Sequence, residues 1–292
     1  MNSRRGNRVT VVDAGMLSLL QDGGRPGYAH LGVSRSGAAD TAAMALANRM
    51  LGNVEDAAVI ETTNGGLALR CEQPCLIAVT GAPVTVRVDG RRHWSHEVLA
   101  VRDGQEVALG MPAHGLRSYV AVRGGFDVPP VLGSRATDRL SGLGPAPLAP
   151  GDVLAVGTTD LPRPASDLVV PLPPPEPDDD VELPVRFGPR DDWFEPAARH
   201  VLLSERFEVT PDSDRVGVRM TGPALPRRIH DELTSEGVVE GALQAPPGGR
   251  LTLFGPDHPV TGGYPVIAVV RARALPIAAQ VRPGQGVRFV QG

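Results

Sequence analysis

Residues 57–109 read AAVIETTNGGLALRCEQPCLIAVTGAPVTVRVDGRRHWSHEVLAVRDGQEVAL. Short apolar runs alternate there with Asn64-Gly65-Gly66, Gly81-Ala82-Pro83, Asp89-Gly90 and Asp103-Gly104. Strand-length runs between turn residues predict short β-strands. The expected strands are residues 57–61, 67–71, 76–80, 84–88, 98–101 and 106–109. Asp89-Gly90 suits a two-residue hairpin. So regular a series points to a barrel or a sandwich.

Working outward, residues 8–12, 117–122 and 153–156 add strands. Gln21-Asp22-Gly23-Gly24-Arg25-Pro26-Gly27 is a glycine-rich loop. Residues 38–51 carry helical spacing (Ala42, Ala43, Leu46, Ala47, Met50, Leu51), with Asp40 placed to cap the start and Gly52 the end, so one helix is expected near 40–51. Residues 161–184 include a Pro/Asp-rich stretch, 171–180, that reads as an extended linker. This divides the chain into a β-rich domain, 1–160, and a second β domain, 185–292. Strands are expected near 185–187, 207–210, 217–221, 238–244, 251–254, 266–271 and 287–290, with helices over 191–203 and 274–280. Pro150-Gly151-Asp152 and Pro283-Gly284-Gln285 each precede a closing strand, as a common turn would or as two related β domains would.

The 292 residues are 41% hydrophobic but only 4% aromatic, so aliphatic side chains must fill the core. A formal charge of −4 gives no basic footprint for nucleic acid or acidic membrane. No apolar run approaches the ~20 residues of a membrane span, and no apolar stretch follows the charged N-terminus, so a cytoplasmic location is the expectation. Cys71 and Cys75 are too few for a disulfide framework and poorly spaced for zinc; two reduced thiols are expected, and no metal. All 29 basic residues are arginine. A chain without lysine has no P-loop lysine, no Schiff-base lysine and no lysine to carry biotin.

Four clusters carry candidate chemistry. In the first loop, Gln21, Asp22 and Arg25 can meet an anion, Arg25 in bidentate fashion, though an ordinary solvated loop explains them as well. Arg123-Gly124-Gly125, followed by Ser134 and Asp138, places a cation and open backbone at a strand end; a capped turn is the simpler account. Thr261-Gly262-Gly263-Tyr264 can form an anion nest or oxyanion site, or a tight turn with a packed tyrosine. Glu236 is a candidate base, with Gln244 beside it in the same cluster. The histidines show no metal spacing, no nucleophile elbow exists, and the closeness of His230-Asp231 to Ser235 is no evidence for a triad.

Taken in order these pieces resemble the KipA family, also described as allophanate hydrolase subunit 2 or as the C subunit of 5-oxoprolinase, and the corresponding half of the urea carboxylase carboxyltransferase domain. The matching stretches are residues 20–27, 37–40, 47–53, 78–82, 117–134 and 137–138, then 188–190, 213–217, 244–249 and 261–265. Each is modest, yet their order along nearly the whole chain is specific. The resemblance implies a mainly β (α+β) fold of two barrel-like, cyclophilin-like halves with a few short helices. It implies a heteromeric enzyme on a small amide or lactam, with a KipI-like partner (the B subunit of 5-oxoprolinase), ATP or biotin being supplied through partner subunits. Its alternatives are a biotin-dependent urea carboxylase component and a non-catalytic regulator that binds a KipI-like protein. It nominates Tyr264, Thr261, Asp138 and Glu236 for catalysis. For substrate binding it nominates Gln21, Asp22, Arg25, Arg123, Gly124, Gly125, Ser134, Gln244, Gly262 and Gly263. The chain departs from the family's Asp-x-Gln-Thr-Thr-Gly-Gly-Tyr-Pro run, holding Pro259 and Val260 where the amide and first hydroxyl usually stand.

Overall fold

A computed structural model describes residues 7–171, 179–248 and 250–292. Two compact units contain them. Unit 1 holds residues 7–25, 40–137 and 142–171; unit 2 holds 26–39, 138–141 and 179–292. The units therefore interleave in sequence, and two segments from the first half fold with the second.

Unit 1 comprises strands β1 (Arg8–Ala14), β2 (Leu17–Gln21), β3 (Val59–Thr63), β4 (Leu67–Cys71), β5 (Cys75–Gly81), β6 (Thr85–Val88), β7 (Arg91–Trp94), β8 (Val98–Val101), β9 (Glu106–Leu109), β10 (Arg117–Val122) and β11 (Val153–Ala155). They form a six-stranded sheet, β11-β1-β4-β9-β6-β7, and a five-stranded sheet, β2-β3-β10-β5-β8. Alternate residues of both sheets enter one buried cluster: Val9, Leu69, Val86 and Val107 from the first, Ile60, Ile77, Leu99 and Val120 from the second. Two half-buried antiparallel sheets thus enclose a shared core, which accounts for the alternating sequence. Strand β10 is buried at all six positions, although it opens with the polar Arg117 and Ser118.

Helix α1 (Thr41–Leu51) begins where Asp40 accepts a hydrogen bond from the Ala43 amide and ends at Gly52 in the left-handed region. The helical spacing alone placed the start three residues earlier; the Asp40 cap fixes it. Its buried Asn48 donates to the Glu55 and Ala57 carbonyls, and Asn53 donates to the Val122 carbonyl. These two amides tie the helix to β3 and β10, which explains the Asn-x4-Asn spacing. Asp89 and Gly90 both have positive φ, 47° and 80°, as the predicted hairpin requires. Its second strand, the polar edge strand β7, was not expected, because Arg-Arg-His-Trp carries no apolar alternation. Strand β2 was also missed: its last residue, Gln21, belongs to the ladder and not to the loop.

The segment 161–184 divides. The Val98 amide donates to the Asp167 carbonyl and the Val169 amide to the His96 carbonyl, so this part lies along unit 1. Residues 172–178, at the centre of the expected linker, lie outside the described residues. From Val181 the chain is already a strand, because Val181, Leu183 and Val185 alternate into a core.

Unit 2 adds β12 (Val181–Phe187), α2 (Pro196–Ser204), β13 (Phe207–Val209), β14 (Gly217–Thr221), β15 (Glu236–Gly237), β16 (Ala242–Gln244), β17 (Leu251–Phe254), β18 (Thr261–Gly262), β19 (Val266–Val270), α3 (Leu275–Ala278) and β20 (Gly286–Gln291). Seven of its strands close a barrel, β12-β19-β16-β17-β14-β13-β20, in which β12 and β20 run parallel. Phe207, Met220, Leu243, Leu253, Ile267 and Phe289 fill it. Closure removes sheet edges, which open sheets must protect by other means. The helix expected over 191–203 is a 3-10 turn followed by α2, whose second start is set by Pro196 at its first position. The strand expected over 238–244 is confined to β16, because Gly241 turns the chain with φ of 84°.

Candidate functional site

The glycine-rich turn at Thr261 is built in unit 2. Strand β15 pairs antiparallel with β18, setting Glu236 opposite Gly262 and Gly237 opposite Thr261. A Cβ on Gly262 would stand 2.8 Å from the Gln244 amide nitrogen, so a larger residue there would displace the Gln244 side chain. Gln244 Nε2 donates to the Tyr264 carbonyl at 3.1 Å. Four expected site residues, Glu236, Gln244, Gly262 and Tyr264, are thereby brought together, with Thr261 and Gly263 between them.

Glu236 is held firmly. Arg190 Nε and Nη2 both donate to its Oε2, at 2.9 and 2.7 Å. Its other oxygen, Oε1, is buried and has no hydrogen-bond partner among the described residues. The carboxylate is thus oriented by Arg190, with its second oxygen unbonded and enclosed by the protein. The Tyr264 side chain is half exposed.

Tyr264 and Gly263 line a cavity of ≈ 550 Å³ together with Arg227, His230, Asp231 and Glu232. A second cavity of ≈ 400 Å³ shares Arg227 and His230 with it and continues over Phe194, Leu225 and Leu251. The first carries the carboxylates Asp231 and Glu232; the second has a mostly apolar lining. The Arg227 Nη2 donates to the Ala245 carbonyl at 3.0 Å, and its guanidinium stands 5.8 Å from the Phe194 ring. Burial lowers its pKa, opposed by Tyr264; it remains a cation. Sequence reading missed Arg227 altogether and weighed His230-Asp231 only as a triad. The clustered charges of Arg227, Arg228, His230, Asp231 and Glu232 were a signal, but no periodicity said which would meet a cavity.

The remaining candidates serve the framework. In unit 1, Gln21 Nε2 donates to the Thr137 carbonyl at 2.9 Å. Asp22 accepts from Ser134 Oγ at 2.6 Å and from the Gly24 and Arg135 amides. Arg25 is only 1% exposed, and its guanidinium donates to the Ala136 carbonyl. The expected anion loop is tied inward: Gln21, Asp22 and Arg25 each bond to the chain's own carbonyls, amides or the Ser134 hydroxyl. Arg123 donates to the Leu51 and Leu161 carbonyls, which joins the end of α1 to the 161 segment. Gly124 allows close backbone approach, since a Cβ there would meet the Gly157 carbonyl at 2.1 Å; Gly125 has φ of 71°. In unit 2, Asp138 is 1% exposed and accepts from Ser34, Ser141 and the Leu140 amide. Burial raises its pKa, but the hydrogen bonds from Ser141, Ser34 and Leu140 outweigh it and hold the carboxyl below the usual range. A carboxylate so fully bonded is a poor general acid or base.

Unit 2 also holds a buried ion pair. Arg215 Nε and Nη2 each meet one oxygen of Asp257 at 2.9 Å. Ser36 Oγ, at 2.6 Å, and the Arg139 amide, at 3.0 Å, complete the shell of Asp257. Arg215 occurs in the 213–217 stretch quoted above, and its geometry with Asp257 identifies a clamp for the two segments that fold with the barrel. Cys71 and Cys75 are free thiols with sulfurs 2.7 Å apart. Among the described residues no group of three His, Cys, Asp or Glu can hold a metal, and no helix is long and apolar enough to cross a membrane.

Residues 31–291 match the family model described as carboxyltransferase domain, subdomain A and B. The C subunit of 5-oxoprolinase from Escherichia coli K12 is 34% identical over 284 residues, covering 96% of this chain and 90% of that protein. Urea amidolyase of Lachancea kluyveri is 32% identical over 308 residues, covering 96% of this chain but 17% of that protein. Among solved structures, TTHA0988 is 32% identical with a TM-score of 0.89; the match takes in all of this chain and 57% of the other. The urea amidolyase of K. lactis superposes with a TM-score of 0.90 at 29% identity, over 97% of this chain and 18% of that one.

Proposed function

This chain belongs to the carboxyltransferase-domain family, subdomains A and B, and we propose from that premise that it is the C-type subunit of a 5-oxoprolinase-like complex. In this reading it works with a KipI-like B-type subunit on a small amide or lactam, 5-oxoproline first among them, whose ring is opened to glutamate at the expense of ATP. The 5-oxoprolinase C subunits and the urea amidolyase it resembles are subunits or segments of enzymes, which supports an enzyme role shared between chains. ATP enters through a partner, since this chain has no lysine for a phosphate loop.

The carrying observation is the Thr261–Tyr264 turn at an open cavity with Glu236 fixed beside it. Tyr264 donates a hydrogen bond to the substrate's carbonyl oxygen as negative charge grows there. Glu236 Oε1 handles the proton on the amide nitrogen. The open cavity gives a partner subunit room to complete the site.

The test is turnover by the purified chain with and without its KipI-like partner, read as phosphate and glutamate released from ATP and 5-oxoproline. Release only by the assembled chains supports the reading. Robust turnover by this chain alone refutes the shared site. The second reading, transfer of a carboxyl group from carboxybiotin to urea, rests on the similarity to urea amidolyase. It predicts urea-dependent discharge of a carboxybiotin carrier in place of glutamate release.

A further inference from the structure

We infer that Arg227 and the apolar cavity beside the Tyr264 turn form a carboxylate pocket, so that the ligand of this site is a small molecule bearing a carboxylate. The ≈ 400 Å³ cavity has three polar side chains in its lining, Arg227, His230 and Arg250, and no carboxylate. Arg250 is exposed and lies 3.5 Å from Asp212 at the surface. Arg227 is different. Its backbone is held by a bridge to Phe194, and its Nη2 is anchored on the Ala245 carbonyl. Its Nε–H is enclosed and has no partner among the described residues, whereas its Nη1 is neither enclosed nor hydrogen-bonded and is the donor a ligand in the cavity can meet. An under-satisfied guanidinium is stabilised by an acceptor that reaches it. Guanidinium and carboxylate match as two parallel N–H···O bonds, and low local polarity strengthens them. Phe194, Leu225 and Leu251 supply the apolar wall that a short carbon ring or chain would cover.

Asp231 and Glu232 belong to the larger cavity that contains Tyr264, not to this one. Negative charge is therefore favoured in the smaller cavity and disfavoured beside Asp231 and Glu232. This polarity orients a ligand, carboxylate toward Arg227 and reacting amide toward Tyr264. Urea, a neutral molecule with no carboxylate, makes no use of the pocket. The inference takes from the lactam reading only the identity of the reacting group.

The experiment titrates the assembled complex by calorimetry with 5-oxoproline, with 2-pyrrolidinone (the same ring without the carboxylate) and with succinate. Wild type is expected to prefer 5-oxoproline to 2-pyrrolidinone. R227M should weaken 5-oxoproline binding about 10- to 100-fold, the range of a charge-assisted pair, and leave 2-pyrrolidinone unchanged. R227K, which keeps the charge, should recover part of the loss, and it carries the test if R227M unfolds. Equal affinity for the two rings in wild type, or equal weakening of both by R227M, overturns the pocket, as does failure of all three probes to bind. Binding of succinate but not of 5-oxoproline, lost in R227M, upholds the pocket and refutes the 5-oxoproline reading.

Discussion

Asp257→Ala breaks the buried clamp of unit 2, and its cost can be worked from the contacts. Asp257 is fully buried and accepts two bonds at 2.9 Å from an Arg215 that is itself only 3% exposed. Ser36 Oγ and the Arg139 amide lose their acceptor as well. Removing one partner of a buried pair strands the other charge, which typically costs about 3–5 kcal/mol. Glu240 moderates this. Its carboxyl is pushed up first by burial, pulled down by Arg35 and Arg215, and raised again by Asp257. Without Asp257 that repulsion ends, and Glu240 becomes the remaining counter-charge for Arg215. The expected loss is accordingly about 3 kcal/mol, near the lower limit, or roughly a 10 °C fall in the unit 2 melting transition. Arg215→Met combined with Asp257→Leu removes both charges, so the double variant should be more stable than Asp257→Ala. Urea unfolding of the wild type, Arg215→Met, Asp257→Leu and the double variant measures the cycle, with Asp257→Ala run alongside. A loss below about 1 kcal/mol for Asp257→Ala, or a double variant as unstable as the sum of the singles, refutes the clamp.

Tyr119→Phe should cost about 1–3 kcal/mol in urea unfolding, because the Tyr119 hydroxyl accepts from the Asp40 amide at 2.7 Å and donates to Glu61 at 2.9 Å, all of it buried; an unchanged midpoint would mean these groups find other partners. Tyr264→Phe should leave thermal stability within about 0.5 kcal/mol and lower the turnover of the assembled complex about 100-fold, as loss of one oxyanion donor does; unchanged turnover removes Tyr264 from the chemistry. Glu236→Gln keeps the shape and the Arg190 contact but cannot take a proton, so turnover should fall at least about 100-fold with binding retained. Asp138 has its folded-state pKa depressed, so its contribution to stability is complete above the unfolded value of about 3.9 and is lost as pH falls through the folded value. Asp138→Asn should therefore flatten the acid limb of the stability curve below about pH 4, and an acid limb identical to wild type would exclude that role.

Much of the fold was legible because it is periodic. Alternation in β1, β4 and β9 and turn chemistry at Asp89-Gly90 are local properties, and they survive in the structure. The helix cap at Asp40 is local too. Polar edge pieces such as β7 and the two-residue β15 and β18 carry no periodic signal and were invisible. The site divided the same way. Thr261-Gly262-Gly263-Tyr264 is a turn written in the sequence, and it stands beside a cavity. Arg25, Asp22 and Arg123 look equally chemical in sequence, yet the chain's own carbonyls, amides and hydroxyls occupy them.

By itself the sequence determined a lysine-free, β-rich chain that cannot carry a Schiff base or biotin on a lysine, because residue type alone settles which covalent roles are open. It also singled out the Thr261–Tyr264 stretch by its paired glycines, though not that Thr261 and Gly262 pair as a strand. Only the tertiary structure decided which charges are buried in pairs, as Arg215 is with Asp257, and which face a cavity, as Arg227 does. Charges far apart in sequence have no local signature. Whether one becomes a clamp or a ligand contact depends on which carbonyls and carboxylates the fold brings within about 3 Å of it.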